Sequence, residues 1–151
     1  QVYIKQKTAK NMKLSSKGRY AVMALADLAR FNQDKPISLR DISLRQGISL
    51  VYLEQLFLKL KNNNVVKSIR GQKGGYILSR KASDIKISEI FFAVEENVKT
   101  IGCEKHSKKG CNGRSAKCIS HNLWDELEDY INNFFQQKNL GDLINKTENR
   151  A

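Results

Sequence analysis

A chain of 151 residues, of which 40% are hydrophobic and 28% charged, has room for one domain with a real core and one accessory helix. It contains no apolar run near the ~20 residues of a membrane helix and no secretory signal, so we expect a cytoplasmic protein with no membrane partner. The net charge of +12 predicts an acidic partner, and nucleic acid is the first candidate because phosphates dominate such binding. A merely soluble basic protein is the alternative.

The first segments define a leader and one helix. Residues 1–11 contain three lysines and no acid, and we interpret them as a disordered leader or a vector-derived remnant. Residues 12–98 are predicted to form the DNA-binding domain. Ser15 or Ser16 is expected to cap its first helix, which would run to about Asn32. The inward positions of that helix are predicted to be Tyr20, Met23, Ala24, Leu28 and Phe31.

The next two predicted helices have the helix-turn-helix pattern. Ser38 is expected to cap the second helix with Asp41 at its third position, and Gly47 to end it. Ser49 then caps a third helix that extends to about Lys61. In this arrangement the second helix of the pair enters the major groove of DNA.

Two short β-rich runs, 65–70 and 76–78, flank a glycine-rich basic turn and predict a hairpin. A hairpin directly after a recognition helix is the wing of a winged helix, and Arg70 and Lys73 at its tip could reach the DNA backbone or minor groove. Ser88 is expected to cap a short fourth helix, from Glu89 to about Asn97. The predicted fold is therefore mainly α with a small β-hairpin wing, followed by a long C-terminal helix.

A polar loop, residues 99–121, contains all three cysteines and both histidines of the chain. Its spacing is C-x7-C-x6-C-x2-H, and three thiols with a histidine suggest a metal ion or an iron–sulphur cluster. The gaps are longer than the short chelate loops of structural zinc sites, which favours a cluster over zinc. Redox-active thiols without metal, or a Cys–His nucleophile, would also be compatible with these residues, and His106 is interpreted as a spare basic residue.

The last predicted helix, residues 122–138 after an N-terminal cap near Ser120, has one continuous apolar stripe. So large an apolar face predicts a homodimer interface, with packing on its own domain as the alternative. Residues 139–151 are expected to be a tail that makes at most one further contact. The predicted interface residues are Leu123, Trp124, Leu127, Tyr130, Ile131 and Phe134.

Several motifs together resemble the IscR-type iron–sulphur cluster regulators. They are M-K-L-S-S-K-G-R-Y-A-V from Met12, D-I-S-x-R-Q-G-I-S-L-x-Y-L-E-Q-L-F from Asp41, R-G-x-x-G-G-Y from Arg70, C-I-S-H-x-L-W from Cys118 and L-G-D-L-I from Leu140. The resemblance implies a homodimeric winged-helix transcription factor that binds operator DNA and a [2Fe–2S] cluster received from cluster donor proteins. It implies control of cluster-assembly genes by cluster occupancy. The ligands would be Cys103, Cys111, Cys118 and His121.

The same resemblance implies roles on the recognition helix and wing. Glu54 matches a glutamate that disfavours one class of DNA site in the cluster-free form, and DNA-contact positions are matched by Ser49, Tyr52, Gln55 and Arg70. Arg19, Lys59 and Lys73 complete the predicted DNA-binding set. The first cysteine gap resembles that of nitric-oxide-sensing relatives with a [4Fe–4S] cluster, so [4Fe–4S] and zinc stay open beside [2Fe–2S]. No catalytic residue is predicted, and we do not expect an enzyme.

Overall fold

The structure, a computed structural model, describes residues 15–31, 35–98 and 118–148, the last three as helical backbone only. The predicted leader, residues 1–11, lies outside these ranges. Within them, no helix has the length and apolarity needed to cross a bilayer. The elements are helices α1 (Ser16–Phe31), α2 (Leu39–Gln46) and α3 (Leu50–Asn62), strands β1 (Val66–Ile69) and β2 (Gly75–Leu78), a 3-10 turn (Ala82–Asp84), and helices α4 (Ile87–Ala93), α5 (His121–Gln137) and α6 (Leu140–Glu148). The mainly helical fold with a hairpin wing is confirmed.

The helix-turn-helix pair begins and ends where its capping residues predict. Ser38 has an extended backbone, and its hydroxyl accepts a hydrogen bond from the Asp41 N–H at 3.1 Å. Gly47 ends α2 in the left-handed region at φ +66°, and its N–H donates to the Ser43 carbonyl at 2.9 Å. Ser49 caps α3 by accepting from the Tyr52 N–H at 3.4 Å. These caps leave a tight turn between the two helices.

The core lies between α1, α2, α3, the hairpin and α4. Its largest fully buried side chains include Phe57, Leu25, Leu28, Leu53 and Leu60. Each such Leu or Phe contributes about 1.5–3 kcal/mol when it leaves water. The Phe57 ring meets Tyr76 edge-on, with centroids 5.0 Å apart, and so fixes the wing to the recognition helix.

The buried face of α1 differs from the predicted one. Ala24 and Leu28 are buried as expected, but Tyr20 and Met23 are half-buried and Phe31 is 47% exposed. The helix instead buries a face on which small residues alternate with leucines, because neighbouring helices approach it closely at the small positions. That face consists of Gly18, Ala21, Ala24, Leu25, Asp27 and Leu28.

A partly buried ion pair holds α1 against α2. The Asp27 carboxylate, whose side chain is fully buried, accepts from Arg45 Nη2 at 2.8 Å and Nε at 3.0 Å, and from Gln46 Nε2 at 2.8 Å. The hydrogen bond to Asp27 raises the pKa of Arg45, so the guanidinium stays charged. The same guanidinium lies 4.5 Å from the centre of the Phe31 ring. A fully paired carboxylate of this kind can be buried without an uncompensated charge.

The wing is a two-stranded antiparallel hairpin, with Val66 opposite Leu78 and Ile69 opposite Gly75. Ile37, just before α2, adds a bridge to β2, because it donates to the Tyr76 carbonyl at 3.0 Å and accepts from the Tyr76 N–H at 2.8 Å. Gly75 has φ +154°, and a Cβ there would lie 2.3 Å from the Ile37 carbonyl oxygen. Only glycine fits at this crossing.

Two C-terminal elements differ from their predictions. Helix α4 runs from Ile87 to Ala93. It begins before the predicted cap Ser88 because the Glu89 carboxylate accepts a hydrogen bond from the Lys86 N–H at 3.1 Å. Residues expected to form a tail instead form α6, which packs on α1 and on the 3-10 turn. Asn139 and Asp142 cap it reciprocally, side chain to backbone, at 3.0 Å each. Leu140 in its first turn is fully buried.

Candidate nucleic-acid interface and metal-ligand segment

The recognition helix α3 presents one face to solvent. Glu54 and Gln55 are exposed there, with Val51 at 65% and Leu58 at 58% exposure on the same side. Ser49 is also exposed, at the N-terminus that a recognition helix directs toward base edges. Exposed carboxylate, amide and apolar groups are the types that contact cytosine amino groups, adenine edges and thymine methyls. The face therefore has the composition of a base-reading surface.

A second edge of α3 is engaged within the protein. The Tyr52 hydroxyl lies 3.1 Å from Ser16 Oγ, and its ring meets Tyr20 of α1 edge-on at 5.8 Å. Seven residues later, Lys59 Nζ lies 2.9 Å from Glu95 Oε2. Both residues are predicted DNA contacts, and the structure gives each of them an internal partner on the α1 and α4 side.

The basic predicted contacts outside α3 fall in two places. Arg70 and Lys73 are exposed around the turn of the wing, where Gly71 has φ +120° and its carbonyl accepts from the Gly74 N–H at 3.0 Å. Arg19 lies on α1, at the border of a groove of about 380 Å³ between α1, α4, α5 and α6. The wing residues are thus displayed as a DNA-contacting hairpin requires, whereas Arg19 borders the C-terminal helices.

Of the four predicted ligands, Cys118 and His121 are within the described residues, and Cys103 and Cys111 are outside them, as is His106. His121 is the first residue of α5, and its N–H donates to the Cys118 carbonyl at 3.1 Å. The Cys118 side chain is exposed, with Sγ 3.7 Å from Ser120 Oγ. Among the described residues there is no cluster of three or more His, Cys, Asp or Glu side chains able to hold a metal ion. The described part of the site is therefore one thiol and one imidazole in a single turn.

The His121 ring has a carboxylate partner that sequence reasoning missed. The imidazole is only 4% exposed, and its Nε2 lies 3.0 Å from Asp125 Oδ2, one turn along α5. Ligand histidines commonly have such a carboxylate beside the ring, where it helps to orient the imidazole. The i, i+4 spacing of His121 and Asp125 was the available signal. A thiol and an imidazole that belong to one turn are donor types that a cluster or zinc takes.

The predicted dimer stripe on α5 is incompletely covered within the chain. Tyr130 is 75% exposed, Leu123 59% and Phe134 50%, while Trp124, Leu127 and Ile131 are half-buried. Phe135, on the flank of the stripe, packs against Phe91 of α4 at 4.6 Å. Helix α5 therefore contacts its own domain through one side, and part of its apolar stripe is exposed among the described residues.

Known proteins resemble this chain over nearly its whole length. The family model Rrf2, described as an iron-dependent transcriptional regulator, matches residues 14–146. The HTH-type transcriptional regulator IscR of Photorhabdus laumondii is 47% identical over 137 residues, which are 91% of this chain and 82% of that protein. IscR of Escherichia coli is likewise 47% identical over 137 residues, covering 91% of this chain and 83% of its own length.

Solved structures agree with this similarity. T. potens IscR superposes with a TM-score of 0.74 at 33% identity, covering 93% of this chain and 92% of that chain. CymR, described as the global cysteine regulator of B. subtilis, superposes with a TM-score of 0.72 at 29% identity, covering 89% and 97%.

Proposed function

Since the chain belongs to the Rrf2 family of transcriptional regulators, we propose that it is a homodimeric DNA-binding regulator whose operator affinity depends on an iron–sulphur cluster. The observation that carries the proposal is the turn at the start of α5, where Cys118 precedes a buried His121 whose ring lies beside Asp125. The proposed site of action is the cytoplasm, on genes of cluster assembly. No catalytic step is part of the proposal.

We assign the cluster to Cys103, Cys111, Cys118 and His121. His121 would supply the nitrogen ligand of this set, and its Nε2 lies 3.0 Å from the Asp125 carboxylate. Lysines and an arginine between the cysteines in the sequence favour the thiolate forms and offset the negative charge of a thiolate-bound group. When bound, a cluster supplies a group whose presence responds to iron supply and oxidants. We assign [2Fe–2S], with [4Fe–4S] and zinc as the rival occupants and cluster donor proteins as its source.

DNA reading is assigned to the exposed face of α3 and to the wing. Gln55 can pair with an adenine edge, and Glu54 accepts from a cytosine amino group while repelling phosphates and other base edges. Ser49 and Tyr52 flank this face, and Arg19, Arg70 and Lys73 supply positive charge that positions the protein on the DNA backbone. A two-fold dimer through α5 would present two copies of α3 to two half-sites of one operator.

The cluster assignment is tested by anaerobic purification. We expect a coloured protein with iron and acid-labile sulphide in equal amounts, about two of each per chain for [2Fe–2S] or four for [4Fe–4S]. Cys118→Ala is expected to lose the visible absorption, whereas Ser120→Ala, which changes a neighbouring hydroxyl, is expected to keep it. A colourless wild type with stoichiometric zinc would refute the cluster.

The rival function is a zinc- or thiol-stabilised protein that binds nucleic acid without regulation. The charge of +12 favours it as strongly as it favours a regulator. Footprinting on promoter and random DNA separates the two, because only a regulator needs a large ratio of specific to non-specific affinity. The rival predicts protection that is indifferent to sequence, iron and oxygen.

A further inference from the structure

Helix α4 ends in a reversal that carries a glutamate where glycine is usual. The N–H of Glu96 donates to the Phe91 carbonyl at 2.8 Å, and that of Glu95 to the Phe92 carbonyl at 3.2 Å. These two bonds form a Schellman motif, in which the residue just after the helix adopts the left-handed conformation. That residue is Glu95, with φ +59°. A side chain at this position is strained relative to glycine, and such outliers persist where the surroundings hold them.

The Glu95 side chain is directed at the recognition helix. Its Oε2 lies 2.9 Å from Lys59 Nζ, and this hydrogen bond, with a weaker influence of Lys17 on α1, holds the pKa of Glu95 below its ordinary value. Lys59 and Tyr52 are seven residues apart, so they lie on one edge of α3, two turns from each other. Both members of this edge contact groups outside α3, at Glu95 and at Ser16.

The adjacent Glu96 fixes the same reversal to α1. Its buried carboxylate accepts from the Gly18 N–H at 2.8 Å, from the Ser15 N–H at 3.4 Å and from the Ser15 hydroxyl. These N–H groups belong to the first turn of α1, which carries Ser16 and hence the contact to Tyr52. The two residues of this turn therefore contact both helices, Glu96 bonding to α1 and Glu95 to α3. Helix α1 also contacts α3 directly, through Ser16 and Tyr52.

We propose that Glu95 is a positioning residue for DNA reading: through Lys59 it fixes the rotation of α3 about its own axis, so that Glu54 and Gln55 meet base edges. Tyr52 anchors the N-terminal half of α3 and Lys59 anchors its C-terminal half. A rotation of α3 about its axis would move every base-facing side chain together. The inference rests on the DNA-binding function proposed above. It accounts for a glutamate at a position where glycine would be less strained.

Glu95→Gly separates positioning from folding. Glycine relieves the left-handed strain, so we expect the unfolding midpoint to stay level or rise. The loss of the Lys59 contact is expected to lower the ratio of affinities for a preferred and a random duplex by about threefold to fivefold. Affinity for the random duplex should be unchanged or higher, because a negative charge is removed. The preferred duplex is the one that full-length wild-type protein selects from random sequences.

Asp84→Asn is the charge control, since it removes one exposed carboxylate from the 3-10 turn that packs on α6. It should leave the affinity ratio within about twofold, and a fall as large as that of Glu95→Gly would overturn the proposal.

The charge swap Lys59→Glu with Glu95→Lys tests the pair itself. Each single change should lower the ratio, and the double variant should restore it. If Lys59 acts only on phosphate, the double variant would be as weak as Lys59→Glu, and the proposal would be wrong.

The outcomes also separate this inference from the proposed function. A wild type that selects no duplex would overturn the regulatory function and this inference with it. A selective wild type with an equally selective, folded Glu95→Gly would overturn this inference alone.

Discussion

Helices α3 and α5 are both amphipathic, but their apolar residues differ in how far they are buried within the chain. Helix α3 buries Leu53, Leu56, Phe57 and Leu60 in the core and has one edge bonded to the rest of the domain. Helix α5 is longer, yet its one buried residue is His121, and half of its stripe residues, Leu123, Tyr130 and Phe134, are exposed. Among the described residues, these apolar side chains of α3 are thus buried within one chain, whereas part of the α5 stripe is exposed. The predicted ligand His121 is the first residue of α5.

The largest expected effect is a loss of dimerisation when charges are placed on the apolar stripe of α5. Leu123→Glu with Tyr130→Glu places two charges on side chains that are 59% and 75% exposed in one protomer, so the fold should survive. In a dimer these groups are buried, and losing about 1.5–3 kcal/mol at each weakens dimerisation on the order of 10²-fold or more. Sedimentation equilibrium measures the change. Asn122→Glu with Asn133→Glu, on the polar side of α5, should stay dimeric, and an unchanged mass in both doubles would remove α5 from the interface.

The next largest effect concerns the stability that the Asp27–Arg45 ion pair gives to the DNA-binding domain. Asp27→Asn leaves Arg45 without its buried partner, and we expect a loss of about 2–3 kcal/mol in the free energy of unfolding, measured in urea. Glu89→Gln is the comparison, because Glu89 pairs with Arg80 at 3.1 Å on the surface. Its cost should be below about 1 kcal/mol. Equal costs for the two variants would show that burial of Asp27 adds nothing to the α1–α2 contact.

A smaller effect concerns the packing that joins α1 to the end of α4. A Cβ at Gly18 would lie 2.8 Å from Glu96 Cγ and 2.9 Å from Phe91 Cε1. Gly18→Ala is therefore expected to cost about 1–2 kcal/mol of stability, because the better helix propensity of alanine does not offset the overpacking. Urea unfolding gives the value. In the Glu96→Gln background the clash with Cγ remains, so the same penalty should appear there, and a stabilised Gly18→Ala would contradict the close approach.

Local signals explain which parts of the fold were predictable from sequence. Ser38, Gly47 and Ser49 act on neighbouring backbone groups, so the helix-turn-helix boundaries followed directly from them. Helix α6 carries a similar signal in Asn139 and Asp142, which the prediction of a tail overlooked. The predicted buried face of α1 was wrong for another reason. Two faces of α1 have apolar residues at helical spacing, and the helices that approach it decide which of the two is buried.

Long-range contacts explain what could not be predicted at the candidate site. Tyr52 is predicted to contact DNA because it matches a contact position of the IscR-type regulators, and Lys59 on the same helix completes that predicted set. Their internal partners, Ser16 and Glu95, are each 36 residues away in sequence, and Glu96 reaches Gly18 across 78. No spacing rule links such positions. The same holds for the convergence of the four predicted ligands, two of which lie outside the described residues, so this remains a prediction.

The smallest expected effect is a pH dependence that isolates the Glu95–Lys59 contact. Because Lys59 lowers the pKa of Glu95 in the folded protein, the contact stabilises the fold above the ordinary value of 4.5 and is lost as the pH falls through the lowered value. Glu95→Gln keeps the left-handed backbone and removes the charge. The difference in unfolding midpoint between wild type and Glu95→Gln should therefore be present at pH 7 and close progressively below pH 4.5. At pH 7, about 1 M salt should shrink it as well, since both groups are solvent-accessible. A difference that is constant across this pH range would mean that the glutamine acts on the backbone or on packing, and that the carboxylate of Glu95 does not hold α3.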